Sequence, residues 1–140
     1  TCGAVNNQNT GIVGSTGNIA KEYPTMDFKS LSTKPVFVEN DANCAALGEF
    51  EFGVGKEMDN IIMVTLGTGV GGGIIIDGRI CHGKYSAGEI GHMIVQADGG
   101  IPCSCGQTGC FEKYASVTAL CEAAEKLQEN PKGHRKALCS

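Results

Sequence analysis

The strongest constraint on this chain lies between Ala87 and Tyr114, in the stretch AGEIGHMIVQADGGIPCSCGQTGCFEKY. His92 is followed there by Cys103, Cys105 and Cys110 in a glycine-rich segment. Three thiols and an imidazole make a complete tetrahedral set for zinc, and a segment closed around a metal has few other ways to fold. Cys103 and Cys105 are too close in sequence for an easy mutual disulfide, whereas zinc accepts that spacing. Glu89 and Glu112 flank the set. They are not needed as ligands, so they are available to a binding site, and the metal is expected to be structural, with no open position for water.

Eight cysteines in 140 residues also fit a secreted disulfide framework. Against that reading, the chain is larger than the usual stapled module, carries no secretory segment and spreads its thiols unevenly. Cys44 and Cys121 fall in helix-like apolar contexts and are expected to be small core residues. A reduced, cytoplasmic protein with one zinc site is the expectation. The net charge of -4 and pI near 5.3 argue against a nucleic-acid surface in this region. No apolar run approaches the roughly 20 residues of a membrane helix.

Helices and strands are mixed, which predicts an α/β class. Residues 1–34 read as turns and short strands. Pro35–Glu39 reads as a short buried strand running into Asn40-Asp41, and Ala42–Phe52 as a helix that either residue could cap. Asn60–Leu66 is expected as a second buried strand, followed by a glycine turn, a strand at Ile74–Ile76, an Asp77-Gly78 hairpin turn and a strand at Arg79-Ile80. Gly83–Gly88 reads as a loop and Ile90–Val95 as a short strand. From Ser116 to Asn130 the residues Val117, Leu120, Ala124 and Leu127 recur at helical spacing, and Pro131 stops the pattern.

Two stretches carry chemistry besides the cysteines. Gly67, Gly69 and Gly72 match G-x-G-x-x-G, but a strand rather than a helix follows, so the dinucleotide-binding context fails. The backbone N–H groups of Thr68, Gly69, Gly71, Gly72 and Gly73 can still converge on phosphate, with the Thr68 hydroxyl as a further donor. The competing reading is a plain hairpin turn, which needs fewer glycines. Asp41, at a strand end and a helix mouth, suits a general base with Asn40 bonding an adjacent hydroxyl. By composition alone, helix capping is the better account of both.

Taken together, Val38-Glu39-Asn40-Asp41-Ala42-Asn43, Thr65 to Gly73, Ala87 to His92, and Cys103-x-Cys105-Gly106-x-x-Gly109-Cys110-x-Glu112 resemble the ROK family of sugar kinases and sugar-responsive repressors. The motifs stand in the family's order over about residues 35–116. The resemblance implies part of a bilobal actin-like ATPase (ribonuclease H-like) fold: residues 1–34 as the end of the N-terminal lobe, residues 35–140 as the central region. It implies phosphorylation of a hexose from ATP with Mg2+, Asp41 taking the proton from the sugar hydroxyl. Asn40, Glu89, His92 and Glu112 would bond other hydroxyls, Thr68 to Gly73 would contact the ATP phosphates, and His92, Cys103, Cys105 and Cys110 would hold zinc. The family is commonly dimeric, so a homodimer is expected.

Two family features are missing. No aspartate-glycine-glycine-threonine phosphate loop occurs, and Cys2 stands where the family usually has proline before Gly3. These residues are therefore expected to be the middle of a longer protein, binding zinc and weakly sugar without turning over ATP alone. The substrate class is a hexose such as glucose, with N-acetylmannosamine, fructose, allose or a β-glucoside as other fits. The alternative the resemblance offers is the sugar-sensing domain of a repressor.

Overall fold

The structure, a computed structural model, describes residues 4–5, 13–15, 23, 26–84 and 87–129. The chain divides into two compact units, residues 1–64 with 72–89, and residues 65–71 with 90–140.

In the first unit β1 (Ala4–Val5) pairs antiparallel with β2 (Val13–Ser15). The other expectations for residues 1–22 lie outside the described residues. A 3-10 turn at Phe28–Leu31 is capped by Asp27, whose carboxylate accepts from the Lys29 N–H at 3.0 Å. The helix expected after Asn40 is present as α1 (Asp41–Phe52), with Asn40 as its N-cap. Pro35–Glu39 does not form the expected buried strand: it joins no ladder, Val38 is buried and Phe37 is exposed. β-branched and aromatic content marks a segment suited to a sheet, but whether such a segment becomes a strand is decided by its packing neighbours, which composition does not name.

The meander is present as β3 (Ile61–Leu66), β4 (Val70–Ile76) and β5 (Arg79–Ile80), in the order β3-β4-β5. β4 pairs antiparallel with β5 across a turn in which Asp77 and Gly78 both take positive φ, 50° and 72°, as the Asp-Gly signal predicts. The glycine turn is shorter than expected, because β4 already begins at Val70 and takes in Gly71, Gly72 and Gly73. Packing explains part of that run. A Cβ at Gly73 would stand 2.5 Å from the Ala46 methyl and 2.8 Å from the Ala42 carbonyl, so α1 crosses this strand too closely for any side chain. Ala42, Ala46 and Ile75 are buried with Val38 as the apolar core of this unit.

The second unit is built differently. Ile90–His92 is a 3-10 turn, not part of the expected strand, and of the remaining residues Met93 to Val95 only Ile94 forms a bridge, to Cys110. Gly91 explains the turn: a Cβ there would run into the Val70 carbonyl oxygen, so the chain must pass that strand edge tightly. Two helices follow, α2 (Glu112–Ala115) and α3 (Val117–Glu129), the latter close to the expected span, with its predicted stop at Pro131 outside the described residues. Val117, Leu120 and Leu127 of the predicted stripe are exposed, and no described residue covers them. Among the described residues, the buried apolar ones of this unit are Val70, Cys103 and Cys110.

Two cysteines depart from expectation. Cys44 is exposed on α1 and not in the core, because the buried face of that helix is made by Ala42, Asn43 and Ala46. Cys121 is half-buried and disulfide-bonded, whereas Cys44, Cys81, Cys103, Cys105 and Cys110 are free thiols. No helix among the described residues is long and apolar enough to cross a membrane.

Candidate functional site

In the first unit Asn40 and Asp41 stand at the mouth of α1. The Asn40 side-chain oxygen accepts from the N–H groups of Ala42 (2.9 Å) and Asn43 (3.1 Å), which satisfies two amides that have no carbonyl within the helix. Capping is thus fact for Asn40. Asp41 is the first helical residue and its carboxylate is exposed, with Oδ1 also 3.0 Å from the Ala42 N–H. A carboxylate in the first turn is favoured by the amide dipoles behind it. Glu39 lies just upstream, half-buried, with Oε1 accepting from the Asn40 N–H (2.8 Å) and the Asn43 amide (2.9 Å), and Oε2 2.6 Å from His82 Nε2. Burial opposes its charge, but the Asn43 amide, His82 and the Asn40 N–H together outweigh it and hold Glu39 below its ordinary value. Glu89, also half-buried, belongs to the same unit.

In the second unit His92, Cys103, Cys105 and Cys110 place one ligand atom each within 4.8 Å of all the others. A turn brings them there: Gly106 N–H donates to the Cys103 carbonyl (3.0 Å) and Cys103 N–H to that of Gln107 (2.8 Å). Cys105 Sγ lies 3.6 Å from Cys110 Sγ, and Cys103 Sγ lies 3.7 Å from His92 Nδ1. Zinc–sulfur bonds of about 2.3 Å at tetrahedral angles put sulfurs roughly 3.8 Å apart, so the donor set fits zinc. It also points to Nδ1 as the ligand nitrogen and leaves Nε2 for another partner. The Gln107 N–H holds the Cys105 thiol below its ordinary value, whereas burial pushes Cys110 up to about 12.

Glu112 opens α2 beside this cluster, with Oε1 3.1 Å from Cys103 Sγ and 3.9 Å from His92 Nδ1. It also reaches the glycine turn: a Cβ on Gly69 would stand 2.7 Å from Glu112 Oε2. The turn itself is tied to the start of α3, since Val117 N–H donates to the Gly67 carbonyl (2.9 Å) and the Thr118 hydroxyl to that of Thr68 (2.9 Å). Ser116 caps α3 through the Ala119 N–H (3.1 Å). The positive end of a thirteen-residue helix therefore abuts Gly67 and Thr68. Gly71 lies half-buried at the start of β4, and Gly72 and Gly73 are buried within it.

The ROK family model matches residues 1–138, and the chain belongs to that family. Its fold is an α/β portion of the actin-like fold of the ROK kinases. It is 49% identical over 118 residues to the glucokinase of Halalkalibacterium halodurans, a match covering 82% of this chain and 36% of the relative. It is 47% identical over 96 residues to the xylose repressor of Bacillus subtilis, covering 68% of this chain and 25% of the relative. The ROK glucokinase of Streptomyces griseus, solved with glucose and AMPPNP, superposes with a TM-score of 0.81 at 41% identity, over 93% of this chain and 42% of that one. The chain thus spans between a quarter and about two-fifths of these relatives.

Sequence reasoning missed the contacts of Glu39 with Asn43 and His82 at the helix mouth. Glu39 and Asn43 stand four residues apart across the cap, a spacing that brings side chains together. No local signal announces His82, because its partner lies 43 residues away.

Proposed function

We propose that this chain is the sugar- and zinc-binding part of an ATP-dependent hexose kinase of the glucokinase type. Asp41 acts as general base: it takes the proton of the sugar hydroxyl, whose oxygen attacks the γ-phosphorus of ATP as ADP leaves. Asn40, Glu89, His92 and Glu112 hydrogen-bond the remaining hydroxyls, carboxylate and amide groups being suited to paired donors and acceptors. Thr68, Gly69, Gly71, Gly72 and Gly73 serve the phosphates, which reach the site as a Mg2+ complex. Phosphoryl transfer asks the protein for positioning, charge stabilisation and a well-placed carboxylate, and these residues offer all three. Zinc held by His92, Cys103, Cys105 and Cys110 orders the loop and does no chemistry.

The observation that carries the reading is the exposed Asp41 carboxylate at the mouth of a capped helix, in a chain that superposes at 0.81 on a kinase holding glucose and a nucleotide analogue. A cytoplasmic homodimer completes it. A chain spanning this share of its relatives is not expected to turn over ATP alone.

The likeness to the xylose repressor favours a second reading, the sensor domain of a sugar-responsive repressor. Assay of the complete protein with ATP and a panel of hexoses separates the two. Hexose-dependent ADP release supports the kinase; sugar binding without turnover supports the sensor.

A further inference from the structure

Glu39 joins parts of the first unit that are distant in sequence. Its Oε1 accepts from the Asn40 N–H (2.8 Å) and the Asn43 amide (2.9 Å), while its Oε2 meets His82 Nε2 at 2.6 Å. Asn43 is buried and the Glu39 side chain is 23% exposed, so this is a built contact and not a passing surface pair. The backbone around His82 is fixed as well. Cys81 N–H donates to the Ile74 carbonyl (2.8 Å), and the His82 carbonyl accepts from the Ala87 N–H (3.1 Å), closing the loop that leads into Gly88 and Glu89. One carboxylate therefore links the helix mouth to the segment bearing Glu89.

Capping does not require this arrangement. The Asn40 side chain already satisfies the Ala42 and Asn43 amides. Stability is a weak reason for it too, since an ion pair with His82 39% exposed contributes little. What Glu39 adds is a hold on the Asn40 peptide from upstream, while the helix holds the same residue from downstream. The direction in which Asp41 leaves the chain is set between those two holds.

We propose that His82 is a positioning residue for phosphoryl transfer: its ring locks the Glu39 carboxylate, and Glu39 sets the Asn40–Asp41 turn from which Asp41 meets the sugar hydroxyl. The inference rests on the kinase reading above. It treats His82 as acting through the Asn40–Asp41 turn, in which Asn40 holds the sugar and Asp41 takes the proton, and not as touching the sugar itself.

In the complete protein, His82→Ala is expected to lower kcat for hexose phosphorylation by about ten- to a hundredfold, the scale of loss when a reacting group is misplaced by an ångström or less. The KM for ATP, the zinc content and the thermal midpoint stay at their wild-type values. His82→Gln, which returns an N–H donor to Glu39, restores most of kcat. Wild-type kcat in His82→Ala, a loss matched by a fall in the thermal midpoint, or a Gln variant no better than Ala would each overturn the proposal. If the wild-type protein phosphorylates no hexose, the kinase reading fails separately, and sugar affinity by calorimetry decides the pair. Binding weakened in His82→Ala and regained in His82→Gln then upholds positioning; wild-type affinity in His82→Ala overturns it.

Discussion

The Cys103 thiol donates to the Glu112 carboxylate at 3.1 Å, so the residue that opens α2 is tied to the Cys3His cluster. The same carboxylate abuts Gly69. A zinc-bound thiolate would have no proton to donate, so a metal held by His92, Cys103, Cys105 and Cys110 would end this hydrogen bond and leave the Glu112 carboxylate free to accept from another donor.

Cys105→Ser is expected to lower zinc content and thermal midpoint together, the midpoint by at least about 5 °C, because among the described residues of the second unit the buried apolar ones are Val70, Cys103 and Cys110, two of them in the proposed ligand set. Elemental analysis beside a thermal scan checks it. Unchanged zinc would remove Cys105 from the ligand set. A chelator should reproduce the loss in the wild-type protein and weaken hexose binding.

Gly73→Ala is expected to cost about 1–3 kcal/mol, since its methyl would stand 2.5 Å from that of Ala46. Gly67→Ala meets nothing within 4 Å and should stay within about 0.5 kcal/mol of wild type. Urea unfolding of the two variants tests whether packing against α1, rather than phosphate alone, demands a glycine at position 73.

Asn40 has two assignments that substitution can part. Asn40→Ala loses the cap and about 1 kcal/mol, whereas Asn40→Asp keeps it. If the amide also serves a sugar hydroxyl, the sugar KM rises in both variants, although only the first loses stability. A sugar KM unchanged in Asn40→Asp would reduce Asn40 to a cap.

Glu39 gives the protein an acid limb. Its folded value lies below the ordinary 4.5, so its contribution to stability is present above that pH and is lost as pH falls through the lower, folded value. Between about pH 6 and about pH 3.5 the wild type should lose more unfolding free energy than Glu39→Gln, which has no carboxylate to titrate. Equal losses would show that the contacts to Asn40, Asn43 and His82 do not favour the ionised form.

What the sequence reveals and what it hides follow from the range of each interaction. α1, its Asn40 cap and the Asp77-Gly78 turn depend on neighbours within a few residues, and all are readable. So is the clustering of His92, Cys103, Cys105 and Cys110, because few residue types gather at such spacing. Pro35–Glu39 has the composition of a strand but no ladder among the described residues, and composition carries no information about a partner. Ile90–Val95 has an extended pattern, yet Gly91 must make a tight pass against Val70 that the pattern does not show. The Glu39–His82 contact spans 43 residues, beyond any local pattern.

The central claim is that Asp41 is the base of a hexose kinase, and Asp41→Ala in the complete protein tests it directly. Hexose-dependent ADP release at saturating sugar should fall by at least about a hundredfold, the lower end of what a positioned base contributes. Sugar affinity and zinc content should stay near wild type. Turnover retained within a few-fold of wild type would contradict the account.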